Sequence, residues 1–256
     1  FIFIPESGTL EYRIKPLWLA DIAAGGFYSA ESLTESQDDS YPYYIHPYFG
    51  YIFPSQGRGI NNYVPYGVAY SSDEYILYGN VQDALVRMRL DNTVAGVVST
   101  TGYPFYLQDA LYLISPDARE VTSLDADGNT LWRHRFQMPV TGADRSGSIT
   151  AFITLGNRLV LFDRDGNILL DHSPGGSRVQ VLYGVALANQ GQLVSVVSGL
   201  YPQRLLTFEQ RGDGYRQVLF QETDTDFREP VMLQYLKDTL YVENSTGVAL
   251  YLSGEH

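Results

Sequence analysis

A tetrapeptide that returns at a fixed distance constrains this chain more than any other feature. Tyr66-Gly67-Val68-Ala69 recurs as Tyr183-Gly184-Val185-Ala186. The spacing divides into three units of about 39 residues, a period that marks stacked or radial repeat folds. Behind each copy comes a polar break and then an apolar run. Ser71-Ser72-Asp73-Glu74 leads into Tyr75-Ile76-Leu77-Tyr78, and Asn189-Gln190-Gly191-Gln192 leads into Leu193-Val194-Ser195-Val196-Val197. Two apolar runs about a turn-forming tetrad predict an antiparallel hairpin.

A second series predicts another hairpin in each unit. Leu124-Asp125-Ala126-Asp127-Gly128-Asn129-Thr130-Leu131-Trp132 is matched by Phe162-Asp163-Arg164-Asp165-Gly166-Asn167-Ile168-Leu169-Leu170, with looser members at 90–93 and from Phe208 through Gly212-Asp213-Gly214 to Phe220. Gly supplies the positive φ that a tight turn needs, and Asp or Asn bonds to its own backbone. Two hairpins per unit make four strands, the content of one propeller blade. Pro65, Pro104, Pro139 and Pro230 stand ahead of the expected inner strands, where a missing N–H is tolerated.

The expectation is therefore an all-β chain, one β-propeller of four-stranded blades spanning 1–256. Inner strands are placed near Phe27, Tyr66, Phe105, Ile149, Tyr183 and Met232, giving about six blades, or seven if 20–54 hides a further unit. The last unit stops near Leu250 to Gly254 without an outer strand, while Ile4 to Tyr12 resembles the second half of a blade. Residues 1–15 are thus expected to complete the last blade, closing the ring and covering both open edges. Residues 20–54 fit the repeat worst and are expected to form an irregular first blade with an insertion.

Composition excludes several function classes. A net charge of −12 and a pI of about 4.6 disfavour a phosphate backbone, so nucleic acid is not expected. With no Cys, disulfides and thiolate chemistry are absent. No apolar run approaches the roughly 18 residues of a membrane span, so insertion of this chain is not expected. His46, His134, His172 and His256 lack metal-ligand spacing, and no Gly-x-Ser-x-Gly elbow occurs.

The Asp125 to Trp132 hairpin resembles the quinoprotein, or pyrroloquinoline-quinone-like, repeat, in which an Asp and Gly turn is followed by a Trp docking against the next blade. Trp132 holds that position and Leu170 replaces it one unit later. The resemblance spans 63–252 and takes in quinone-dependent dehydrogenases as well as non-enzymatic bacterial envelope propellers. The enzymes need a Ca²⁺ site, a catalytic Asp and, in many members, a vicinal disulfide, so a chain without Cys is placed with the envelope proteins. That placement implies an exported, periplasmic or envelope-associated protein, monomeric, with a protein or peptide partner. No cofactor is expected. Ca²⁺ stays open only at the two Asp-x-Asp-Gly-Asn turns, which lack the bidentate acid of an EF-hand and read first as hairpin turns.

Two regions supply candidate binding residues. The Tyr-rich stretch from Ser40 to Tyr51 offers Tyr43, Tyr44, His46 and Tyr48, whose rings suit a peptide or sugar or else fill the wedge between blades. The tops of the inner strands place Tyr66, Tyr106, Gln108, Thr141, Arg145, Tyr183 and Gln234 at a channel mouth. There Arg145 either clamps an anion or pairs with Asp144 or another neighbour. The expected function is a non-catalytic binding or scaffolding propeller. The alternative is a carbohydrate-active enzyme, a glycoside hydrolase or lyase, using carboxylates drawn from Asp73, Glu74, Asp109, Asp144 and Glu229.

Overall fold

Short turns set the topology, because a hairpin of two to five residues can only join antiparallel neighbours. The computed structural model describes residues 26–28, 44–46, 49–53, 58–61, 67–79, 84–89, 93–99, 101–223, 228–237, 239–244 and 247–252. The chain divides into two compact units, 1–68 and 69–256. In the first lies a four-stranded sheet of β1 (Gly26–Tyr28), β2 (Tyr44–His46), β3 (Phe49–Phe53) and β4 (Arg58–Asn61), in the order β1-β4-β3-β2. That order breaks the simple meander, and it does so in the stretch that fits the repeat worst.

All later sheets run in chain order. The second holds β5 (Gly67–Tyr70), β6 (Glu74–Tyr78), β7 (Ala84–Arg89) and β8 (Val94–Ser99). The third holds β9 (Tyr103–Leu107), β10 (Ala110–Ile114), β11 (Glu120–Leu124) and β12 (Thr130–Arg135), and the fourth β13 (Val140–Ser146), β14 (Ile149–Thr154), β15 (Arg158–Phe162) and β16 (Ile168–His172). The fifth is β17 (Val179–Ala188), β18 (Leu193–Leu200), β19 (Gln203–Arg211) and β20 (Gly214–Thr223). The sixth has three strands, β21 (Leu233–Leu236), β22 (Thr239–Asn244) and β23 (Gly247–Leu252). This is a β-propeller fold with six sheets among the described residues. Residues 1–15, expected to add the fourth strand of the last sheet, lie outside them.

Side-chain alternation explains how the sheets of the second unit stack. Successive residues of a strand face opposite sides, so a sheet covered on both faces reads as an unbroken apolar run. Leu111 and Leu113 of β10 pack with Leu85 and Val98 of the second sheet, whereas Tyr112 between them packs with Phe152 and Phe162 of the fourth. Ile153 and Leu159 turn instead toward Val194 and Val196 of the fifth sheet, and Val197 toward Leu240 of the sixth. The middle strands β14, β15 and β18 are accordingly buried along nearly their whole length, while the outer strands β12 and β20 are mostly exposed and β16 is half-buried. A fully buried ring such as Phe152 contributes about 1.5–3 kcal/mol by leaving water.

One expected inner strand is corrected. The run from Ile149 is β14, the second strand of its sheet, and the first is β13, directly after Pro139. Hydrophobicity picks out strands with a neighbour on each side, and β13, which packs against β9 and β17, carries Thr141, Asp144 and Arg145 instead. The turn residues behave as their types require. Gly128 and Gly166 stand at φ +87° and +84°, and the added Cβ at Gly166 would come within 2.6 Å of Trp132.

Candidate functional site

The hairpin turns of the third and fourth sheets enclose a cavity of about 420 Å³. Four turns contribute to it: Gln108-Asp109 between β9 and β10, Asp125-Ala126 between β11 and β12, Gly147-Ser148 between β13 and β14, and Asp163-Arg164 between β15 and β16. Leu131 and Trp132 of β12 form an apolar part of the lining, and Arg145 stands at the end of β13.

Local geometry fixes the wall. The Gln108 backbone is at φ +53°, and its Nε2 donates to the Arg145 carbonyl at 3.0 Å. Arg145 Nε donates to the Gly147 carbonyl at 2.7 Å. The two turns are therefore tied across the gap between sheets. The expected pairing of Arg145 with Asp144 is not found. Adjacent residues of one strand face opposite ways, and Asp144 Oδ2 accepts the Leu187 N–H of β17 at 2.6 Å. Burial pushes the Asp144 carboxyl above its ordinary range, against the opposing effect of the backbone donors of Leu187 and Arg145.

Both Asp-x-Asp-Gly-Asn turns spend their first carboxylate internally. Asp125 Oδ1 accepts the Asp127 and Asn129 N–H groups at 2.9 and 2.7 Å, and Oδ2 accepts Asn129 Nδ2 at 3.1 Å. Asp163 repeats the arrangement with Asp165 and Asn167 at 2.9, 2.8 and 2.8 Å. The Asn129 side chain and backbone bonds hold the Asp125 carboxyl below its usual range. At Asp163 burial opposes, but the Asn167 and turn donors still carry it down. These oxygens are turned to the hairpin and close it.

Trp132 lies between the third and fourth sheets. Its ring stacks on Phe162 of the next sheet at 4.9 Å and 18°. His134 packs on the same Phe162 and on Phe136, and His172 packs against Phe208.

Of the other expected site residues, Tyr106 is a half-buried wedge between the second and third sheets. Its hydroxyl donates to Glu74 Oε2 at 3.4 Å, and burial, then Glu74, pushes its pKa up to about 12. Glu74 pairs with Arg87 at 2.8 Å, and Arg87 reaches the Ala126 carbonyl of the next sheet. Thr141 is at the opposite end of β13 from Arg145, donating to the Ile153 carbonyl at 3.4 Å. Tyr183 is mid-strand on β17, where its carbonyl accepts the Val231 N–H, and Gln234 is exposed on β21. Tyr44 and His46 belong to β2. Tyr43, Tyr48 and Tyr66 lie outside the described residues.

Within the second unit the structure thus brings together Gln108 and Arg145, and Tyr106, Thr141, Tyr183 and Gln234 lie outside the lining. Ser148 and Arg164 of the lining were missed. A signal existed: Arg164 takes the place that Ala126 holds in the preceding turn, and a bulky cation where the hairpin needs only a small residue has another use.

Comparisons with known proteins agree on the architecture. A β-propeller protein family matches residues 1–252. An uncharacterized protein of Treponema pallidum (strain Nichols) is 24% identical over 215 residues, 82% of this chain and 56% of that protein, so the chain spans little more than half of the curated relative. Solved structures similar to it include Saccharomyces cerevisiae Sqt1 (TM-score 0.55, 9% identity, 76% of this chain and 59% of that one) and the C-terminal WD40 domain of Sif2 (0.54, 11%, 74% and 57%). BamB from Moraxella catarrhalis is also similar (0.50, 14%, 74% and 59%). At such identities the likeness concerns the fold alone.

Proposed function

We propose, from the premise that this chain belongs to that β-propeller protein family, a non-catalytic binding or scaffolding role in which the turn-bearing end of the sheets engages a protein or peptide. The observation that carries this reading is the employment of three of the five acids named as candidates for a glycosidase. Glu74 is paired with Arg87, Asp109 Oδ1 accepts the Ser72 N–H and hydroxyl at 3.2 and 2.7 Å, and Asp144 accepts the Leu187 N–H. Each joins one strand or sheet to another. A hydrolytic pair needs two carboxyls facing a common bond, about 5–10 Å apart.

The finer reading, an exported envelope propeller built from quinoprotein-like repeats, is supported by the contact of Trp132 with the following sheet. No helix among the described residues is long and apolar enough to cross a membrane. The decisive experiment runs two arms on the same purified chain. A glycan panel is expected to show no turnover above a blank, and turnover abolished by Asp144→Asn or Asp109→Asn would overturn the reading. In the second arm the immobilised chain is expected to retain a partner stoichiometrically, and less of it after Gln108→Ala.

A further inference from the structure

We infer that the cavity between the third and fourth sheets takes a single carboxylate carried on an apolar body, an inference that rests on the binding role proposed above. Arg145 and Arg164 both line it, and among the described residues neither lies within ion-pair distance of a carboxylate. Arg87, Arg133, Arg135, Arg158 and Arg211 do, and Arg89, Arg119, Arg178, Arg204, Arg216 and Arg228 do not, so the mark of this place is that two such arginines meet at one cavity beside Leu131 and Trp132. In a chain of net charge −12, two such guanidiniums on one cavity are a concentration of unused donors.

Arg145 is also held in place. Its Nε is fixed by the Gly147 carbonyl and its own carbonyl by Gln108, so little side-chain entropy remains to be lost on binding. The acids of the same lining are already engaged, Asp125 and Asp163 by their own turns and Asp109 by Ser72. A ligand carboxylate matches the guanidinium fork in shape and charge.

The remaining chemistry sets the ligand class. Three carboxylates line the cavity with the two arginines, so a dianion such as phosphate meets about twice the repulsion from them that a monoanion does, and a single carboxylate beside the guanidiniums is the anion favoured. Leu131, 46% exposed, and Trp132 offer apolar surface for the carbon skeleton. At about 420 Å³ the volume is that of a small-molecule or side-chain pocket. The carboxylate can belong to a free organic acid or to the end of a partner's chain.

Calorimetric titration of the whole chain separates these sources and tests the inference. The probes are phenylacetate, a hexapeptide ending in Leu with a free carboxylate, the same peptide amidated, and inorganic phosphate. The acids are expected to bind, the amide and phosphate about tenfold or more weaker, in keeping with the loss of a charge-assisted contact. Arg145→Gln should weaken acid binding to a similar extent and Arg145→Lys should restore part of it. Arg164, exposed on its turn, gives a second variant that leaves the packing intact, and Arg164→Gln should act in the same direction. Tighter binding of the free peptide than of phenylacetate assigns the carboxylate to a partner's chain end, and the reverse order assigns it to a free acid. Equal binding of acid and amide, preference for phosphate, no heat with any probe, or full affinity in a natively folded Arg164→Gln overturns the inference. None of those results touches the scaffolding role, which falls instead to glycan turnover.

Discussion

Replacing Gly166 by Ala probes how one sheet seats against the next. Gly166 is at φ +84°, and its added Cβ would lie 2.6 Å from Cγ and 2.7 Å from Cβ of Trp132. The left-handed backbone alone costs Ala about 1–2 kcal/mol. The Trp132 ring cannot retreat freely, because it is stacked on Phe162 at 4.9 Å, and overpacking of this kind costs about 1–3 kcal/mol. The sum is roughly 2–5 kcal/mol, equivalent to a fall in Tm of about 5–15 °C for a chain of this size. Gly212→Ala is the control: φ is +62° but nothing lies within 4 Å of the added Cβ, so only the backbone cost of about 1–2 kcal/mol applies. Melting curves of both variants, with Gly166→Ala/Trp132→Leu as a rescue, measure the contact directly. Equal losses in the two glycine variants, or a double variant that recovers nothing, would refute the claim that the turn glycine is required by the neighbouring sheet.

Two other outcomes follow from the polar contacts between strands and sheets. Burial raises the Asp144 carboxyl above its unfolded value, so the folded state holds this proton more tightly. Its contribution to stability is greatest below the unfolded pKa and declines as pH rises through the folded one. Tm measured across acid pH should therefore show Asp144→Asn gaining on the native chain as pH rises from about 4, and parallel curves would count against it. Arg87→Met, in turn, takes the cationic partner from Glu74 at 17% side-chain exposure and strips a donor from the Ala126 carbonyl. Urea unfolding should show a loss of about 3–5 kcal/mol, with partial recovery in Arg87→Met/Glu74→Leu, since removing both charges costs less than stranding one.

Much of the architecture was legible because its signals are local. A hairpin pairs residues a few positions apart, so Asp125 to Trp132 and Phe162 to Leu170 announced their turns, and the glycines at positive φ sit where the repeat put them. Strand rank within a blade was not legible. Ile149 misled because burial on both faces, rather than nearness to the centre, makes a strand apolar.

The candidate site was legible in part. Gln108 and Arg145 were placed together by their equivalent positions at the ends of β9 and β13. Arg145 and Asp144 are neighbours in sequence, yet strand geometry sends them to opposite faces, and Asp144 finds its donor on Leu187, 43 residues away.

The amino-acid order by itself determined the repeat, the turn chemistry, the absence of cysteine chemistry and the acidic charge. Only the tertiary structure decided which acids are engaged, which arginines are left without one, and where a cavity opens between sheets. The physical reason is that period and turn type are encoded within a few consecutive residues, whereas a gap between two sheets depends on the size and direction of side chains about one blade apart in the chain.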